Sequence, residues 1–363
     1  MRRPRSDDPP APAPAPAPAP EPAPDPSAGC GADPAQAHVS RELPHDRPLI
    51  CCAFDPTGRF VFAGSEDLTV RRWDLEAESP SAVPFAGHES WVFDLACSPD
   101  GATLLSVGGD GRLIWWCASA NEPSPCRTIQ AHEGWARSVA ISPDGSLAAS
   151  AGNDRTVKLW SMADGSLVHC LSEGHDKPIY AVAFHPNGRS LISADLQGRI
   201  IDWDASCGEQ RRRFDASALY SYNAGQQVDY GGVRDLAFSP DGDRLACGGL
   251  VNGSNPLGAV NDTAVLLFDW EKRTEPALLK GKGDLKGVAW GVRFHPDGFL
   301  AVASGGSGGG HLLFYHPGET EEFHRFSLPN TARGLDLHPD GLHLATAHHD
   351  GKLRITLMRP QPE

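Results

Sequence analysis

The chain has 363 residues, a formal net charge of −14, 39 glycines, 32 prolines and nine cysteines, none in a Cys-x-x-Cys pair. So acidic a chain argues against a nucleic-acid backbone as its main partner, because phosphate binding requires clustered cations, and no run reaches the apolar length of a membrane helix. Arg2, Arg3 and Arg5 are followed by no apolar signal segment, and the unpaired cysteine count reads as free thiols in a reducing, cytoplasmic setting.

Residues 1–35 are a Pro/Ala tract, which predicts a disordered, extended spacer unable to bury apolar surface. From residue 36 one unit recurs, and its x-Pro-x-Gly turn falls at Pro56, Pro99, Pro143, Pro186, Pro240, Pro296 and Pro339. The first unit has His45, Asp67 and Trp73, with Ala63 where its neighbours have serine. The second has His88, Ser106, Asp110 and Trp116. The third and cleanest has His132, Ser150, Asp154 and Trp160, and the fourth has His175, Ser193 and Trp203, with Gln197 where Asp is expected. The last three units keep the turn and lose most of the motif; in the fifth, Asp229 stands at the His position and Asp262 at the Asp position.

Seven units, an early Gly-His and a late Trp-Asp make residues 36–358 resemble the WD40-repeat family. The resemblance implies an all-β, seven-bladed β-propeller of four-stranded antiparallel blades, with residues 359–363 as a C-terminal tail. It also implies that each His–Ser–Asp–Trp set is a structural hydrogen-bond network rather than a catalytic triad. Gly- and Ala-rich usage suggests a bacterial member. The seventh unit stops after its third strand, so Ala37–Leu43 is expected to supply the missing outer strand and close the ring.

Two departures from the period stand out. Trp203 to Asp229 spans 26 residues where Trp160 to His175 spans 15, which puts an insertion over 217–228. A second insertion occupies 250–261. In a propeller both connections emerge on the top rim, and long loops on a rigid scaffold are where binding concentrates. Cys97, Cys117, Cys170 and Cys247 fall on predicted strands as small buried hydrophobes, and Cys51 and Cys52 face opposite sides of one strand.

Counted from each His position, +4, +7 and +9 are apolar and predict the core between blades, as in Val92, Leu95 and Cys97. Positions +3 and +5 differ. They hold Trp91 and Phe93, Trp135 and Arg137, Pro178 and Tyr180, Gly232 and Arg234, Val288 and Trp290, Thr331 and Arg333. These residues are expected to ring the top of the channel, a composition typical of binding hot spots, with Glu66, Asn153 and His349 nearby. Enzyme signals are thin. Gly305-Gly-Ser307-Gly-Gly309 matches Gly-x-Ser-x-Gly, but no helix follows it, and the late histidines, among them His295 and His338 of the turns, have no ligand spacing. The reading is a monomeric, non-catalytic scaffold that binds a protein or peptide at its top face, with no cofactor, metal, nucleic acid or membrane. The net charge would steer a basic partner. The alternative is a pocket for a small anion, as a sensor or a propeller enzyme, around Arg137, Arg234, Arg333 and His349.

Overall fold

The computed structural model describes residues 30–255, 260–272, 274–283 and 285–361. Most of the predicted spacer, residues 1–29, therefore lies outside the described residues, as does the tip of the second insertion. The described chain folds into seven four-stranded antiparallel sheets and one two-stranded hairpin. Each innermost strand packs against the innermost strands of both neighbours, and that of the seventh sheet packs on the first, so the sheets form a closed ring. Blades 1 to 7 comprise residues 49–86, 92–130, 136–171, 179–215, 235–280, 288–328, and 332–358 with 37–44.

The core is divided as the sequence pattern predicts. Seven apolar clusters each bridge one pair of adjacent blades, the last joining blade 7 to blade 1. Val92 and Leu95 lie in the cluster between blades 1 and 2, and Val233 and Leu236 in that between blades 4 and 5. Cys51 and Cys52 enter different clusters, because successive side chains of a strand point to opposite faces. All nine cysteines are free thiols. The expected burial holds for Cys247 and in part for Cys97, but Cys117 and Cys170 are exposed. Cys117 ends the third strand of its blade and Cys170 lies on an outermost strand, where one side faces solvent.

Ala37–Pro44 pairs antiparallel with Lys352–Met358, from Ala37 opposite Met358 to Pro44 opposite Lys352. This is the closing strand expected from the missing fourth strand. Leu43 is buried in the core between blades 7 and 1. Beside it, Glu42 accepts hydrogen bonds from Lys352 Nζ at 2.6 Å and from Arg354 Nε at 2.8 Å. Arg354 is buried and also pairs with Asp350, so its charge is fully matched at the seam. Packing continues upstream of residue 36. Asp33 caps the short turn Pro34–Gln36 and donates its backbone N–H to the carbonyl of Met358.

Candidate functional site

In blades 2 and 3 the expected network forms. His88 Nδ1 donates to Asp110, Ser106 Oγ lies 2.7 Å from His88 Nε2, and the Trp116 indole N–H donates to Ser106 at 2.8 Å. His132, Asp154, Ser150 and Trp160 repeat this chain of contacts. Burial works to raise the Asp154 carboxyl, but hydrogen bonds from His132 and Thr156 prevail and hold it at about 2. Each polar group is thus satisfied inside the blade, and the indole closes off the serine where an acyl-transfer substrate would have to approach.

Three positions depart from the sequence reading. In blade 4 the carboxylate is Asp195, 2.8 Å from His175, and not a residue at position 197. In blade 1 the hydroxyl contacting His45 is Ser65, not a residue at position 63. In blade 7 the imidazole is His348, which meets Thr346 and the carbonyl of Asn330. Ser65, Asp195 and His348 occupy one structural position, the end of the second strand, paired with the start of the first strand. From there a side chain reaches the network's centre, so a partner lost at the usual place is restored from this one.

The blade 5 assignments are also revised. Asp229 accepts from Tyr220 Oη at 2.6 Å and Lys177 Nζ at 2.9 Å, and Asp262 pairs with Lys286 and Asn252. Neither contacts a histidine among the described residues. Both serve the two insertions. Residues 217–228 open with a helical turn, Ser217–Leu219, and continue into the hairpin Tyr220–Asn223 and Val228–Gly231. The second insertion lengthens two strands of blade 5 to Arg244–Asn255 and Val260–Asp269. The hairpin packs on the first of these strands, and Leu219 is buried beneath them.

The channel mouth has a repeated geometry that the sequence does not reveal. In six blades the pairing register of the innermost strand slips by one residue near its start. The unpaired residue is Ile50, Phe93, Arg137, Tyr180, Trp290 or Arg333, and Arg234 stands at the matching place just before the blade 5 strand. Such a bulge turns a side chain away from the sheet's alternation. All seven line one cavity of about 150 Å³. The +5 residues therefore converge there, whereas Trp91 and Trp135 at +3 lie on the surface above, 44% and 42% exposed.

The ring is electrostatically uneven. Arg333 is paired with Glu66 at 2.8 Å, and Arg137 Nε donates to Asn153 at 3.0 Å. Arg137 stands 4.4 Å from the Trp135 ring centre and 4.5 Å from that of Tyr180, while Arg234 stands 4.6 Å from the same tyrosine. Burial, together with the like charge of Arg234, holds the Arg137 pKa below the ordinary arginine value. Deeper in the channel, Arg293 bridges Asp235 and Asp336. Asp94 accepts from Ser138 Oγ and Val139 N, and burial pushes its carboxyl up to about 6. His349 makes a backbone bond to Thr331 beside the ring.

Among the described residues, two side-chain groups each bring three potential metal ligands together: Cys30, His295 and Asp297, and His338, Asp340 and His343. In both, the turn histidine is already committed. Nδ1 accepts the N–H of Asp297 or Asp340, and Nε2 contacts the carbonyl of Gly341 or Gly58 in the next blade. His185 does the same with Asn187 and Gly242. These histidines fasten blade to blade, and a cation would have to break that bond to use them. Ser307 lies at the tip of the hairpin joining Leu300–Gly306 to Gly309–Tyr315, not at a strand-to-helix elbow. No helix among the described residues is long and apolar enough to cross a membrane.

The family model for the WD domain, G-beta repeat, matches residues 38–74, 79–117, 123–161, 165–204, 225–254 and 324–356. Among curated proteins, nuclear distribution protein PAC1 of Arthroderma otae is 29% identical over 205 residues, covering 48% of this chain and 44% of the relative. PAC1 of Coccidioides posadasii is 32% identical over 204 residues, covering 48% and 42%. Transcription initiation factor TFIID subunit 5 of Caenorhabditis elegans is 28% identical over 164 residues, covering 45% and 24%. The chain thus matches less than half the length of these relatives. They are fungal and nematode, and they lend the expected bacterial origin no support.

Proposed function

We infer what the molecule does from one premise: the chain belongs to the WD40 repeat family, whose model matches more than half of it. On that premise it is a non-catalytic interaction scaffold that works in the cytoplasm as a monomer and holds a protein or peptide partner at the top of the channel. Its relatives are named for nuclear distribution and for transcription initiation, not for a chemical reaction. The observation that carries the reading is the set of bulges that aims Phe93, Arg137, Tyr180, Trp290 and Arg333, with Arg234 at the matching place in blade 5, into one mouth below the exposed Trp91 and Trp135. Aromatic and Arg side chains offer large contact area and directed hydrogen bonds, the composition of binding hot spots. The double hairpin of blade 5 forms a lip on one side and limits what fits.

The test compares proteins retained from native lysate by wild type and by the Trp91→Ala/Arg137→Ala/Trp290→Ala variant, after the two show equal melting temperatures. A partner held by wild type and lost by the variant is the expected result. Identical partners for both would move the interface away from the mouth.

A further inference from the structure

We propose that the mouth accepts an acidic side chain, the carboxylate of an Asp or Glu on a partner's peptide segment, between Arg137 and Arg234. The inference rests on the top-face reading above and names the chemistry of its ligand. Both guanidinium carbons stand over the Tyr180 ring, at 4.5 and 4.6 Å from its centre, so a carboxylate at the edge of that ring is within reach of both. Among the described residues neither cation is paired with a carboxylate, and Arg234 Nε is buried with no hydrogen-bond partner. Arg333, by contrast, is neutralised by Glu66. Two like charges share one aromatic ring with no described carboxylate paired to either, so their mutual repulsion is a cost that no ion pair relieves in the free protein. A bound carboxylate removes that cost with charge-assisted hydrogen bonds.

The same cavity limits the depth of insertion. Asp94 and Asp235 line it below the arginines, and Asp235 is already held by Arg293. An anion therefore stops at the level of Tyr180. The exposed Trp91 and Trp135 favour a peptide over a free anion: a small acid seated between the arginines would leave both indoles uncovered, whereas a peptide chain crossing the mouth lies over them.

The experiment selects a random dodecapeptide library on the full chain, on Arg137→Gln/Arg234→Gln and on Trp91→Ala/Trp135→Ala, each variant first shown to melt no lower than wild type. Peptides enriched in Asp or Glu are expected from wild type. Loss of the arginines should weaken them about tenfold or more, the loss expected for charge-assisted bonds. Peptides that are lost by the tryptophan variant but carry no excess of acids, or that bind the glutamine variant unchanged, would overturn the acidic inference and leave the mouth as the site. Peptides that bind both variants as well as wild type, or no enrichment at all, would overturn the mouth reading with it. Free glutarate is the remaining arm: if it binds as tightly as the best peptide, the ligand is a free carboxylate and the peptide proposal falls.

Discussion

Asp94 shows how one half-buried side chain in the channel sets a pH response. Burial in the channel raises its carboxyl to about 6, against the bonds it accepts from Val139 and Ser138. The folded chain holds this proton more tightly than the unfolded one, so the contribution to stability is present below about pH 4 and lost as pH rises through about 6. Asp94→Asn keeps an acceptor oxygen for Ser138 and removes the titration. Its melting temperature should gain on wild type as pH rises from about 4 to about 6 and level off above that, by an amount equivalent to at most about 3 kcal/mol. A difference that stays flat across that range would show that Asp94 does not titrate there. Single residues are also where the sequence was least legible. The His–Ser–Asp–Trp motif located the networks of blades 2 and 3. It missed Asp195, Ser65 and His348, because substitution from a neighbouring position leaves no trace at the position the motif inspects.

For strands and hairpins, periodicity carried most of the information. The x-Pro-x-Gly turns marked every blade, and the absent fourth strand of the seventh pointed to Ala37–Leu43. The bulges were not legible, since an extra residue in one strand shows only when its partner is paired beside it, yet they decide which side chains reach the mouth. Both insertions could be located, but their mutual packing could not be read, because nothing in either segment names the other. The closing strand gives the prediction at this scale. Removing residues 1–29 should leave the melting temperature unchanged. Removing 1–45 should lower it sharply, since Leu43 leaves the core and the buried Arg354 loses Glu42. Glu42→Gln should fall between the two, and equal melting of all three chains would refute closure by this strand.

Across the whole molecule, overall charge and mouth charge have opposite signs. The formal −14 suggested attraction of a basic partner, whereas the unpaired arginines favour an acidic one at contact. The two fields act at different ranges, and salt separates them. As ionic strength rises from about 0.01 M to 0.15 M, the screening length shrinks from about 30 Å to about 8 Å. An acidic peptide should then associate faster, as long-range repulsion fades, and also dissociate faster, as the short-range ion pairs weaken. Stopped-flow measurement at the two salt concentrations checks this; an association rate that falls with salt would mean that the local field dominates at all distances.

The strand that seals the ring also imposes an order on biosynthesis. Residues 37–44 leave the ribosome before any blade exists, and their pairing partner, 352–358, follows more than three hundred residues later. Throughout that interval the early segment waits as an unmatched edge, the kind of backbone that pairs readily with another copy of itself. The segment carries its own protection: Arg41 and Glu42 interrupt its apolar residues, and Pro44 ends it with a position that cannot donate a ladder bond. The time taken to translate the blades in between then sets how long newborn chains remain open to exchanging this strand with one another.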